Sequence, residues 1–188
     1  MHDYGQSLTL TAASPNVPKT GRRICENLNF TDGGLLWIKR LNSALSHRLY
    51  DTARDIRKPL NSDDVTAEGS AVSGGIAHWT ANGASHVKSG DPAYAMLGDE
   101  NEIDVPYVAW GFKKNKKFFD VIKWDGNNVD GRVINHDLKC EPGVIMVKCL
   151  TAGYGWQVYH RSLTTTGSNG KDATSWLRLD TDSQASTA

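Results

Sequence analysis

The stretch Gly34-Leu-Leu-Trp-Ile-Lys-Arg-Leu-Asn-Ser-Ala-Leu-Ser-His-Arg-Leu-Tyr50 decides how this chain is read, because it occurs twice. The second copy is Gly143-Val-Ile-Met-Val-Lys-Cys-Leu-Thr-Ala-Gly-Tyr-Gly-Trp-Gln-Val-Tyr159, of the same length and without a gap. Gly34, Lys39, Leu41 and Tyr50 return unchanged as Gly143, Lys148, Leu150 and Tyr159. Leu35, Leu36, Ile38 and Leu49 return as the aliphatic residues Val144, Ile145, Val147 and Val158. Self-similarity at a fixed spacing marks one structural unit used more than once. Residues 35–40 are apolar on both faces at first, as a core strand of a sandwich is. Residues 47–51 alternate and read as the returning strand, so the unit is a hairpin with a loop of about five residues.

Working outward from the first copy, residues 1–33 form a lead-in. Residues 7–12 alternate with period two and predict a strand. Pro15 and Pro18 then break any regular element. This segment is either an arm that pairs with another chain or a strand docked locally, ending at the turn Thr31-Asp-Gly-Gly34. After Tyr50, residues 52–58 read as a charged surface loop or a single helical turn. Residues 75–80 and 85–88 flank Asn82-Gly83, a strong hairpin signal. Residues 89–104 read as an acidic loop. Residues 105–112 and 118–124 are the clearest strands after the repeat, joined by Lys113-Lys-Asn-Lys-Lys117. A short strand is predicted at 133–136. Beyond Tyr159 the echo weakens, with Leu179-Asp-Thr-Asp182 matching Leu60-Asn-Ser-Asp63. The second unit stops short of the Trp79 hairpin that continues the first. Either the strands close one sandwich from unequal halves, or something else, such as another subunit, completes the second.

The bulk numbers narrow the function. A chain of 188 residues suits one domain, or one domain with an arm. Lys plus Arg equals Asp plus Glu, so net charge is zero and a phosphate-neutralising nucleic-acid binder is disfavoured. Neutrality also leaves association unopposed by self-repulsion. Cys25, Cys140 and Cys149 are an odd set without CxxC spacing, so neither a disulfide framework nor a cysteine metal site is expected. No apolar run approaches a membrane span, and the N-terminus lacks a secretory signal, which implies synthesis in a cytoplasm.

No catalytic constellation emerges. His47, His78, His86, His136 and His160 are scattered, with no HExxH spacing. There is no GxSxG or phosphate-binding glycine loop. Asp120 lies in an apolar run, where alternation predicts an outward-facing side chain without a second carboxylate partner. Asp125-Gly-Asn-Asn-Val-Asp-Gly131 resembles a calcium loop only superficially, since Val129 and Asp130 occupy the wrong places. The four lysines between 113 and 117 read as a solvated loop that separates two apolar strands. Of the six tryptophans, Trp79 and Trp176 lie in polar surroundings and are the candidates for stacking on a sugar ring.

Taken together, Leu36-Trp-Ile-Lys39, His47-Arg-Leu-Tyr-Asp51, Tyr107-Val-Ala-Trp110, Phe118-Phe-Asp-Val121, Val144-Ile-Met-Val-Lys148 and Trp156-Gln-Val-Tyr-His160 resemble a domain of tailed-bacteriophage virion proteins, of the kind met in marine and cyanobacterial phages. The resemblance covers roughly residues 34–188. It implies a concanavalin-A-like β-sandwich without known catalytic residues. The expected fold is therefore all-β: a jelly-roll or concanavalin-A-like antiparallel sandwich over 34–188, preceded by an N-terminal arm over 1–33. The expected function is a non-enzymatic virion structural protein of tail, fibre or head decoration, made in the host cytoplasm. Its partners would be other virion proteins and further copies of itself, without nucleic acid, cofactor, metal or membrane span. The competing expectations are a glycan-binding module for a host surface, using Trp79 or Trp176, and a glycan-cleaving enzyme.

Overall fold

A computed structural model describes residues 5–11, 22–42, 44–69, 75–87, 106–163, 175–182 and 186–187. Among them every helix-or-strand element is a β-strand, and every strand pairing is antiparallel. The strands are β1 (Gly5–Thr11), β2 (Arg22–Ile24), β3 (Gly34–Arg40), β4 (Arg48–Asp51), β5 (Leu60–Asn61) and β6 (Gly75–Thr80). They continue with β7 (Gly83–Val87), β8 (Pro106–Lys113), β9 (Val144–Val147), β10 (Gln157–His160), β11 (Ser175–Arg178) and β12 (Ser186–Thr187). They form a five-stranded sheet in the order β1-β8-β3-β4-β5, a three-stranded sheet β2-β7-β6 and a four-stranded sheet β12-β11-β10-β9.

The five-stranded sheet is the spine, and β3 shows why. Its side chains alternate between faces, and both faces are apolar. Leu36 and Ile38 point one way, into a core with Tyr50, Tyr107 and Ala109 of the same sheet. Ile24, Cys25, Leu28, Phe30, Ile76 and Ala84, from the three-stranded sheet and the turn after β2, close that core from above. Leu35 points the other way, with Leu49, Leu60 and Trp156, and with Trp37, Phe112, Phe119, Leu150 and Leu179 at its margin. Burying one such aliphatic side chain contributes about 1.5–3 kcal/mol, so the two-sided burial of β3 and β4 anchors the molecule. Two glycines serve this close packing. A Cβ on Gly34 would meet the Phe112 carbonyl oxygen at 2.4 Å, and one on Gly111 would meet Cys25 Sγ at 2.9 Å.

The predicted hairpin at Asn82-Gly83 is present as β6 and β7, with Gly83 at φ 87°. Of the two readings of residues 1–33, the described parts match the locally docked strand: β1 pairs along β8, and β2 pairs with β7. Other expectations are corrected. Residues 118–124 are not a strand. Only an Asn115–Phe119 bridge forms, after which the chain runs irregularly. The reason is Asp120. Its carboxylate is 4% exposed, pairs with Lys114 at 3.1 Å and accepts the N–H of Asp137 at 2.7 Å and of Val121 at 2.9 Å. An outward-facing Asp120 is thereby overturned, and the loop folds around it instead. Residues 133–136 likewise form no strand. The 89–104 loop lies outside the described residues.

Candidate functional site

The repeat is a structural one, down to its register. In the first unit Leu35, Leu36, Trp37 and Ile38 oppose Asp51, Tyr50, Leu49 and Arg48. In the second, Val144, Ile145, Met146 and Val147 oppose His160, Tyr159, Val158 and Gln157, each pair being the repeat equivalent of the first. The hydrogen-bond phase is also kept. Thr52 N–H donates to the Gly34 carbonyl at 3.1 Å, and Arg161 N–H to the Gly143 carbonyl at 2.9 Å. The repeated lysine has a shared task. Lys39 Nζ donates to the Leu45 carbonyl, six residues on, and Lys148 Nζ donates to the equivalent Tyr154 carbonyl at 2.9 Å, also six residues on. Each lysine therefore ties down its own hairpin loop. Lys148 also reaches the carbonyls of Cys149 at 3.0 Å and Val65 at 3.3 Å. Burial holds its ammonium below the usual lysine range, against the pull of Cys149, Asp64 and Asp180.

A third strand completes each unit, and here the sequence match was two residues out of place. Leu60 and Asn61 oppose Leu49 and Arg48, whereas their counterparts opposite Val158 and Gln157 are Leu177 and Arg178, not Leu179 and Asp180. The slip is even, so the faces are unchanged.

What differs between the units is their cover. Leu36 is 0% and Tyr50 1% exposed, beneath the three-stranded sheet. Their equivalents Ile145 and Tyr159 lie on an open groove with Val147, Gln157 and Trp176, bordered by Glu141. On β9 itself Val144 is 52%, Ile145 42% and Met146 39% exposed, so this strand is uncovered on both faces. Trp176 thus does reach a concave surface, with the Arg178 guanidinium carbon 5.2 Å from its ring centre. Trp79 does not: it is half-buried and packs on Phe30 with ring centres 5.3 Å apart. The two candidate tryptophans lie in different sheets and are not brought together.

The chain belongs to the family described as domain of unknown function DUF7483, whose model matches residues 19–188. The match takes in 19–33, which agrees with β2 being built into the core. No curated protein and no solved structure matches the chain significantly.

The remaining charged groups are mostly structural. Arg54, in the loop expected to be solvated, is 5% exposed and bonds Asp51 at 2.6 Å, Glu68 at 3.0 Å and the Lys58 carbonyl at 2.8 Å. It fixes the 52–69 loop to the end of β4. Lys113 pairs with Asp32 at 3.7 Å, and Lys114 bridges Asp120 and Asp137 at 3.1 and 2.9 Å. Asp137 and Asp120 raise the Lys114 pKa, and Lys114 in turn lowers that of Asp137. The lysine run is therefore partly neutralised within the chain. His47 Nδ1 accepts the Trp37 indole N–H at 2.8 Å; burial, then Lys39, lowers its pKa. Among the described residues no group of three His, Cys, Asp or Glu is placed to hold a metal ion, and no helix is long and apolar enough to cross a membrane. Asn128 and Gly131 take positive φ, as the turn reading of 125–131 requires.

Proposed function

We propose that this chain is a non-enzymatic structural component of a tailed-phage virion, in the tail, a fibre or a head decoration, and that it works through contacts with neighbouring subunits. The observation that carries the reading is the second unit: a well-formed hairpin whose apolar strand β9 is exposed on both faces, while its twin is enclosed. Surfaces of that kind mark places of association. The order β1-β8-β3-β4-β5, with β8 inserted between strands distant in sequence and a second sheet on top, supports a jelly-roll or concanavalin-A-like sandwich as the scaffold. The test is mass spectrometry of purified particles from the phage that encodes the chain. Its peptides are expected at the stoichiometry of a structural protein, and their absence rejects the reading.

A second reading keeps one specific support. Trp176 and Tyr159 stand side by side across β11 and β10 in the open groove, next to Gln157 and Glu141. An aromatic face beside hydrogen-bonding groups suits a sugar ring. A glycan array probed with multivalent protein tests it: binding lost on Trp176→Ala supports a receptor-reading module, and an empty array ends it. A glycosidase is less well supported, because Glu141 is the sole carboxylate among the groove's described lining residues, and hydrolysis needs an opposed pair.

A further inference from the structure

The outer edge of β9 carries more than exposure. In an antiparallel ladder, successive residues direct their backbone groups alternately to one neighbour and the other. The bond from Arg161 N–H to the Gly143 carbonyl sets the phase, so Ile145 and Val147 direct their backbone groups to β10. Val144 and Met146 direct theirs outward. Their equivalents Leu35 and Trp37 direct theirs to β8, opposite Phe112 and Trp110. The first unit therefore shows what belongs on this edge: an antiparallel strand. No described residue supplies one to β9.

Three further observations agree. Gly143 repeats Gly34, whose Cβ would strike the passing β8 backbone at 2.4 Å, yet around Gly143 no described residue lies nearer than Arg161 at 3.8 Å. The space for a passing strand is kept, and no described residue fills it. The upstream sequence repeats as well, one residue out of step with the hairpins: Gly131, Arg132, Ile134 and Leu138 match Gly21, Arg22, Ile24 and Leu28. In the first unit that stretch includes β2, paired with β7; in the second it is irregular, with Val133 78% exposed. Finally, β9 is short but lacks the other usual guards of an edge among the described residues. It holds no charge or proline, its pairing with β10 has no bulge, and Lys148 beside it is turned back onto carbonyls. By contrast, the β6–β7 ladder shifts register between Ile76 and His78.

We propose that a second copy of this chain pairs its own β9 with this edge, antiparallel and about a twofold axis, with Ile145 opposite the partner's Ile145. The proposal deepens the reading of a protein that acts through subunit contacts. A second copy fits because β8, the strand that fills this place in the first unit, already has β1 on one edge and β3 on the other. The β9 strand is uncharged and self-complementary, and a net charge of zero does not oppose association. In this register Val144 and the partner's Met146 exchange both backbone bonds, as do Met146 and the partner's Val144. The partner's Val147 passes Gly143, where the retained glycine leaves room.

The test is sedimentation velocity of the full chain from micromolar to submillimolar concentration, with cross-linking. The wild type is expected to pass from monomer to dimer. Met146→Pro removes an outward N–H, and Met146→Lys places a charge on the edge. Each is expected to raise the dimer dissociation constant at least tenfold with the circular dichroism unchanged. If the proline variant fails to fold, the lysine variant and the cross-link decide. Ile145→Cys, with Cys140 and Cys149 changed to Ser, is expected to form a covalent dimer when an oxidant such as oxidised glutathione is added, since facing side chains approach most closely in a non-hydrogen-bonded pair. A wild type that stays monomeric, or a dimer unaffected by Met146→Lys, overturns the pairing. Either result leaves the virion reading standing, because that reading is judged by peptides in particles. A complex that forms only with a peptide of the β8 sequence assigns the edge to a foreign strand and likewise overturns the second copy.

Discussion

Replacing each repeated glycine by alanine separates the two units by experiment. Neither Gly34 nor Gly143 is among the positive-φ residues, so alanine is conformationally acceptable at both and the effect reports space alone. At Gly34 the new methyl would sit 2.4 Å from the Phe112 carbonyl oxygen and 2.7 Å from Phe30 Cδ1. Restoring ordinary contact with the former, at 3.4 Å, requires a shift of 3.4 − 2.4 = 1.0 Å. The atom that must move is backbone, in the middle of the spine sheet, with an aromatic ring blocking the other side. Overpacking of this kind costs about 1–3 kcal/mol, and a backbone obstacle puts Gly34→Ala near the upper end. For a chain of this size that is a fall of roughly 6–12 °C in Tm. At Gly143 the nearest atom among the described residues is Arg161 Nε at 3.8 Å, so Gly143→Ala should change stability by less than about 0.5 kcal/mol. Urea titration followed by tryptophan fluorescence, at concentrations where the chain is monomeric, gives both numbers. Equal losses for the two variants, or a Gly34→Ala protein as stable as the wild type, would refute the reasoning. The same Gly143→Ala chain should dimerise less well, because its methyl enters the path of the incoming strand.

Three other outcomes are expected. Arg54→Met leaves buried Asp51 without its counter-charge and Glu68 with Lys58 alone, and should cost about 3 kcal/mol or more, measured by chemical denaturation. His47 holds a lowered pKa, so the unfolded chain takes up its proton first; stability present above the unfolded histidine range should decline as pH falls through it towards the folded pKa. His47→Gln, which removes the titrating group, should flatten that decline in a pH series of melts, whereas an identical profile would dismiss His47 as its source. Burial raises the Cys25 thiol to about 11, so a thiol reagent at neutral pH should label Cys140 and Cys149 in the native protein and reach Cys25 only on unfolding.

The legible part of the fold was the part with local redundancy. Two ungapped copies of one Gly-to-Tyr pattern give a hairpin with a fixed register, because a slip of one residue would exchange its faces. The Asn82-Gly83 turn and the alternation of 105–112 were equally plain. The misreadings share a cause: each depends on what lies across the chain. Residues 118–124 alternate like a strand, yet Lys114 and the N–H of Asp137 draw the Asp120 carboxylate inward. The Arg54 loop looks solvated until Asp51 and Glu68 are seen around it. Trp79 has polar neighbours in sequence, but Phe30 lies against it in space. Most consequential, Leu36 and Ile145 are alike in sequence context, and only the tertiary structure says that one is enclosed and the other open. The signal that was available and missed is the upstream echo of 21–28 in 131–138. It would have placed β2 inside the unit and moved the start of the domain upstream of residue 34.

Residue-resolved amide exchange on dilute, monomeric protein bears most directly on the claim that one hairpin is enclosed and its twin is open. Leu35, Leu36, Trp37 and Ile38 should all exchange slowly, since β4 and β8 hold both edges of β3. In the twin, Ile145 and Val147 should be slow and Val144 and Met146 fast, an alternation that an open-edged β9 must give. Val144 and Met146 as slow as Leu35 and Trp37 in the monomer would contradict the account, because something in the same chain would then already cover that edge.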